Sequence, residues 1–388
     1  MLFQLLISQQ QLKSRFPEKI SMAHNSSPTV IFIDDKQETL MPLARSVQEQ
    51  GMAGCEVDSP EDINEEVLAS ADLVVVDYTL DDWIDKVDVR ELSLKPVNGV
   101  ALASVLREHA QKLKNAPPTG FALITGQPGN VSLTPGERRP HVVARLSNLE
   151  WFFEKQTVNV QQIVSLATAI HELPSDLSSD LASIDRLMDL LGVGDSPLRE
   201  RYRDAVERCR PPIHHLSKDS GGIVLLRWLL HRILPHTCFL FDVYTMAARL
   251  RISPSSLKSE LMLETDFTEK LQEYVYKGPL AEFDGKRWWR GGIEQWLWEV
   301  TDGNSATPDA IWEALGELGV SKVEMLKLVR PVVTLDDKFR REEQLSDRKN
   351  VDALHLDDWP SYAEPAYARK DLLDKHNDLK IFRVSESR

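Results

Sequence analysis

Five side chains stand out because each follows a short apolar run. Asp34-Asp35 follow Thr29–Ile33, Asp77 follows Leu73–Val76, Thr125 follows Phe121–Ile124, and Lys155 follows Trp-Phe-Phe-Glu154. Carboxylates supply oxygen ligands for a hard cation such as Mg²⁺, which usually keeps some of its waters. A carboxylate beside such an ion can accept a phosphoryl group, while a lysine neutralises the equatorial oxygens in the transition state. A threonine hydroxyl can then hydrogen-bond the attached group.

That chemistry needs the five residues at one place, which depends on the elements carrying them. Strands are expected at Thr29–Asp34, weakly at Gly54–Val57, and at Leu73–Asp77, Phe121–Thr125 and Glu150–Glu154. Between the first two, Leu40, Leu43, Ala44 and Val47 follow the i, i+3, i+4, i+7 spacing of one helix face. Leu102, Val105 and Leu106 mark a helix before the fourth strand, and Ile163, Val164, Ala167 and Ile170 one after the fifth. Continuous apolar strands alternating with helices imply a parallel sheet covered on both faces. In such sheets ligands bind outside the carboxyl ends of the strands, where the five residues stand.

With those positions in place, residues 28–172 resemble the receiver domain of two-component response regulators. The resemblance implies a doubly wound five-stranded parallel sheet in the order 2-1-3-4-5. It makes Asp34 and Asp35 the acidic metal-binding pair, Asp77 the phosphorylated aspartate and the Thr79 carbonyl a further metal ligand. Thr125 becomes the switch hydroxyl, Lys155 the phosphate-facing lysine and Phe152 the switch aromatic, with Asn98-Gly99 opening the third helix. The implied cofactor is Mg²⁺ and the implied partner a sensor histidine kinase or a phosphotransfer protein. The chain departs from the family in a longer stretch after Asp77, rich in Asp81, Asp82, Asp85 and Asp88, in Lys36 after the acidic pair, and in Gln156 after the lysine. A haloacid-dehalogenase-like phosphatase also uses an aspartate after a strand. It needs a second acid two residues on, where this chain has Thr79 after Asp77 and Lys36 after Asp34.

The remainder divides into a linker and connecting helix (173–196), a mainly helical output domain (197–335) and a charged segment (336–388), with Trp359, Tyr362 and Tyr367 as candidate anchors. The Ile223–Leu234 stretch reads as a buried helix containing His231, and the denser pair His214-His215 has no ligand partner at suitable spacing. Residues 244–261 resemble a helix-turn-helix, with Ala247 at the crossing, Leu250 and Ile252 at the turn and Leu257 on the second helix. In that reading Arg251, Ser255, Ser256 and Lys258 are the candidate DNA contacts, although Arg251 takes the place usually held by glycine. Trp288, Trp289, Trp296 and Trp298, interleaved with basic residues, read as core, with stacking on bases or anchoring a partner as the other uses.

Composition narrows the choice. Over 388 residues, 46 Lys+Arg against 60 Asp+Glu give a net charge of −14, which opposes wholesale binding to a phosphate backbone. Three scattered cysteines, Cys55, Cys209 and Cys238, suit neither a disulfide scaffold nor a zinc cluster. No apolar run reaches membrane-spanning length. The start, Met1–Ile7, lacks a basic lead and a cleavage site; Met22 is an alternative initiator, and residues 1–27 are expected to contribute little. The expectation is a cytoplasmic signalling protein, a phosphoacceptor rather than an enzyme. Its output acts through protein–protein contact, a second copy of the chain included. Phosphorylation-controlled DNA binding, or a docking module that is never phosphorylated, are the alternatives.

Overall fold

The computed structural model describes residues 27–83, 96–113, 118–134, 136–173, 183–211, 221–320 and 324–384. Most of the 1–27 extension, Asp85, Asp88, His214-His215 and most of the 173–180 linker therefore lie outside the described residues.

Strands β1 (Thr29–Ile33), β2 (Ala53–Asp58), β3 (Leu73–Asp77), β4 (Gly120–Thr125) and β5 (Trp151–Glu154) form a sheet in the order β2-β1-β3-β4-β5. Every pairing is parallel, and in register Asp77 stands opposite Ile124. The expected order is thus the observed one. Side-chain alternation divides the sheet into two faces. Val30, Phe32, Val75, Ile124 and Phe153 point to one, toward α1 (Met41–Glu49) and, as the chain continues past β5, toward Ile163 and Ala167. Ile31, Ile33, Val76, Leu123 and Phe152 point to the other. That second face is covered by α2 (Glu65–Ser70), α3 (Gly99–Lys112) and, after the short α4 (Pro128–Val131), by α5 (Arg138–Leu146). Burial on both faces is why these strands read as unbroken apolar runs.

After β5 the chain is mainly helical: α6 (Val160–His171), α7 (Ile184–Leu190), α8 (Arg199–Arg208), α9 (Gly221–Trp228), α10 (Val243–Leu250), α11 (Pro254–Glu260), α12 (Asp266–Gln272), α13 (Arg290–Val300) and α14 (Pro308–Glu317). The core does not stop at the sheet domain. Trp151, Phe153 and Ile163 belong to one apolar cluster with Leu187, Val206, Leu226 and Ile233, so the sheet and the first helices behind it share an interior. Trp288, Trp289 and Trp296 are buried core residues, as expected, whereas Trp298 is largely exposed.

Beyond the sheet domain the chain also carries short strands that the sequence reading did not place. Short antiparallel ladders pair Leu240–Phe241 (β6) with Trp288–Trp289 (β7), Pro331–Val332 (β8) with Ser346–Asp347 (β9), and Val351–Leu354 (β10) with Ala366–Arg369 (β11). Leu354, Leu356, Ala368, Leu373 and Leu379 close a small core of their own. Four-residue strands with two buried positions each carry too little apolar pattern to show above the surrounding charge.

Candidate functional site

The carboxyl ends of β1 and β3 bring Asp34 and Asp77 together, both nearly fully buried. The Lys155 ammonium, carried by the end of β5, bridges them, 3.1 Å from Asp77 Oδ2 and 3.4 Å from Asp34 Oδ2. Thr39 completes the cluster. One turn of 3₁₀ helix (Gln37–Thr39) folds back after β1, so that the Thr39 hydroxyl donates to Asp34 Oδ2 and sits 3.3 Å from the lysine. The sequence reading missed Thr39; its one signal was a hydroxyl a single turn past an acidic pair. Asp34 Oδ1 accepts the Lys36 amide at 2.8 Å.

Asp77 Oδ1 is buried and has no hydrogen-bond partner among the described residues. Burial pushes the Asp77 carboxyl up to about 6 and Asp34 adds to the rise, both against the pull of Lys155. A buried carboxylate oxygen with an open lone pair, among donors that are all oxygen, fits a hard divalent cation. Of the other members of the expected metal set, Asp35 lies beside Asp34, half-buried, and accepts the Asp82 amide, and Thr79 follows Asp77 by two residues with its side chain exposed. Among the described residues no three His, Cys, Asp or Glu side chains are gathered around one point. Burial raises Asp35 also, with neighbouring Asp34 contributing.

The long stretch after Asp77 begins by closing over the acidic pair. Besides the Asp82 amide on Asp35, the Asp82 carboxylate meets Lys36 at 2.9 Å, an exposed pair that solvent screens. Thr125 is wholly buried at the end of β4, its hydroxyl accepting the Gln127 amide at 3.1 Å. Phe152 is wholly buried too, packed in the same cluster as Val143 and Ala144 of α5. Gln156, at the place where proline is usual, donates its side-chain amide to the Gly126 carbonyl and ties the end of β5 to that of β4.

Behind Asp77, Asn98 caps α3 by accepting the Ala101 amide at 3.0 Å. Gly99 beside it has no room for a side chain, since a Cβ there would lie 2.0 Å from the Asp77 carbonyl oxygen. Gly99→Ala is therefore expected to displace either α3 or the backbone of Asp77, at a cost of about 1–3 kcal/mol. Urea unfolding of the variant measures it; an unchanged midpoint would show that α3 shifts freely.

The helix-turn-helix geometry is present, but the DNA contacts assigned to it are corrected by the structure. Ala247, Leu250, Ile252 and Leu257 are buried between α10 and α11, and Ser253 caps α11. Arg251 takes the left-handed conformation at φ 58°, which normally suits glycine. Its guanidinium turns inward, donating to the carbonyls of Leu328 (2.6 Å), Val329 (3.0 Å) and Ala306 (3.1 Å). Three carbonyls, part-buried in these bonds, gain a donor this way, which offsets the backbone strain. Lys258 pairs with Glu343 at 2.7 Å and lies over the Tyr244 ring. The Ser256 hydroxyl accepts the Glu324 amide, and Ser255 alone of the four is exposed without a distant partner. Of the two basic residues, Arg251 is committed to the protein interior and Lys258 to an exposed ion pair.

No protein-family model matches the sequence, and no curated protein does. Among solved structures the chain is similar to a response regulator protein from Burkholderia pseudomallei, described with a phosphorylated aspartic acid, a calcium ion and citrate. Identity is 18%, covering 42% of this chain and 84% of that one, with a TM-score of 0.23. It is also similar to the response regulator ChrA of a heme-sensing two-component system, at 16% identity over 70% of this chain and 98% of that one, again with a TM-score of 0.23. At those values neither lends a residue role to this chain. The sheet order stands on its own coordinates.

Proposed function

We propose that this chain is a two-component response regulator in which Asp77 accepts a phosphoryl group from a phosphohistidine of a sensor kinase or phosphotransfer protein. One observation carries the reading. Asp77 ends a buried central strand with one carboxylate oxygen on the Lys155 ammonium and the other, Oδ1, buried and unpartnered. Asp34, Asp35, Asp77 and the Thr79 carbonyl would hold Mg²⁺, which when bound supplies positive charge to the phosphoryl oxygens.

In the transfer, an Asp77 carboxylate oxygen attacks phosphorus. The P–N bond to the donor imidazole breaks, its electron pair leaves with the imidazole, and an acyl phosphate remains on Asp77. The lysine, already within 3.1 Å of Oδ2, offsets charge on the transferring group without reorganising. Thr125 gives up its acceptor role toward Gln127 and donates to the new phosphate. Phe152, on the same strand as the lysine, carries the change toward α5 and the helices beyond. Output through protein contact is favoured over DNA binding because Arg251 and Lys258 are committed internally. The protein acts in the cytoplasm as a phosphoacceptor rather than an enzyme.

Incubation with acetyl phosphate and Mg²⁺, followed by intact-mass measurement, tests the reading. The expected product is one adduct of about 80 Da, a single phosphoryl group. Absence of any adduct with acetyl phosphate, and with a phosphorylated histidine donor, would overturn it.

A further inference from the structure

A second site lies far along the chain, where residues 328–330, 346–353 and 369–371 border two adjoining clefts of about 460 and 560 Å³. We propose that these clefts bind a small polyphosphorylated ligand carrying at least two phosphate groups. The larger cleft is lined by Arg330, Arg348, Lys349 and Lys370 against only Asp347 and Asp352, on a chain whose net charge is −14.

Both carboxylates are already engaged. Asp347 accepts the backbone amides of Val329 (2.9 Å) and Lys349 (3.3 Å), and Asp352 is paired with Arg383 at 2.7 Å. The cations are held in place or left open. Arg348 donates to the Val351 carbonyl at 3.2 Å and lies over the Tyr367 ring, while Lys370 donates to the Lys349 carbonyl at 2.9 Å and stands 3.9 Å from the Asp352 carboxylate. Arg330 and Lys349 are exposed and make no ion pair among the described residues. In the smaller cleft the Arg369 Nε is buried without a hydrogen bond, its nearest carboxylates standing at 3.5 and 3.7 Å.

Clustered lysine and arginine donors with spare valences select phosphate oxygens, through charge-assisted hydrogen bonds. The size argues for a small molecule. Each cleft falls within the range of about 300–1,000 Å³ usual for small-ligand sites. A nucleic acid needs a run of phosphate contacts along an extended basic track, and here the basic residues share the lining with Asp347, Asp352 and Asp371.

Titration calorimetry on the full chain, with inorganic pyrophosphate and with ADP, tests the site. The expected result is one saturable site for pyrophosphate that weakens as salt is raised. Binding should fall at least about tenfold in the double variant Arg330→Gln, Lys349→Gln, whose exposed side chains leave the fold intact by circular dichroism. Equal affinities would identify the phosphates alone as the ligand, and tighter ADP binding a nucleotide. The proposal is overturned if neither probe binds, if the double variant binds as well as the parent, or if a short oligonucleotide binds more tightly than both. Asp77 takes no part, so Asp77→Asn is expected to bind pyrophosphate as the parent does.

Discussion

Glu150→Ala is expected to destabilise the chain by about 3–5 kcal/mol, among the largest losses any single substitution here should cause. Glu150 is wholly buried at the head of β5, and it accepts from three donors. Arg107 of α3 reaches Oε2 at 2.7 Å, Arg227 of α9 reaches Oε1 at 2.7–2.9 Å, and the Phe121 amide adds a third contact. Burial works against the charged carboxylate, yet the two arginines together hold it below the ordinary glutamate range. Removing it leaves the buried Arg107 guanidinium without its carboxylate, with the Phe121 ring beneath it. The same residue also joins the sheet to the helices, since Arg227 additionally grips Asn148 through its side-chain oxygen (2.7 Å) and its carbonyl (2.9 Å). Urea unfolding measures the loss, and limited proteolysis should show faster cleavage between residues 173 and 221. Arg227→Ala, which leaves the Glu150–Arg107 pair intact, is expected to cost less while opening the same segment. A Glu150→Ala midpoint within 1 kcal/mol of the parent would mean that the triad contributes little.

Asp77→Asn should abolish the acyl-phosphate adduct entirely, because the amide offers no anionic oxygen to attack phosphorus. It should also change stability in a pH-dependent way. A carboxylic acid raised in the folded state to about 6 from 3.8 binds its proton more tightly folded than unfolded. Below about pH 4 both states are protonated and Asp77 costs nothing. As pH rises from about 4 to 6 the unfolded chain ionises first, and stability drains away. Above pH 6 the penalty levels off at about 3 kcal/mol, by the conversion of pKa units into free energy. The difference in unfolding free energy between Asp77→Asn and the parent, without added metal, should therefore grow across that window in favour of the variant, then flatten. Groups common to both proteins cancel in the difference. A flat difference from pH 4 to 8 would show that Asp77 is not desolvated, and an adduct on the asparagine variant would place the acceptor elsewhere.

In the proposed reading the stability cost and the reactivity have one origin: a carboxylate kept dry beside Asp34 and Lys155 destabilises the chain, and a bound cation would relieve it.

Much of the sheet could be read directly from the chain. Runs such as Leu73-Val-Val-Val76 are apolar at every position, which only a strand covered on both faces requires, and helical spacing between them forces parallel connections. Since such sheets present their carboxyl ends on one edge, Asp34, Asp77, Thr125 and Lys155 could be assigned to one place before any coordinate was known. These are local regularities, and local chain geometry enforces them.

What escaped the sequence depends on partners far apart along it. Glu150 looks like the polar start of a strand until Arg227, seventy-seven residues on, is folded against it. Arg251 looks like a surface base at a helix turn until the carbonyls of residues 306, 328 and 329 close around its guanidinium. The sequence by itself determined that the sheet is parallel and which side chains stand at its carboxyl edge, because strand–helix succession acts over a few residues, while the strand order was what the family resemblance implied. Only the tertiary structure decided which charges are spent internally and which remain open to a ligand, because electrostatic pairing follows distance in space and is blind to distance along the chain.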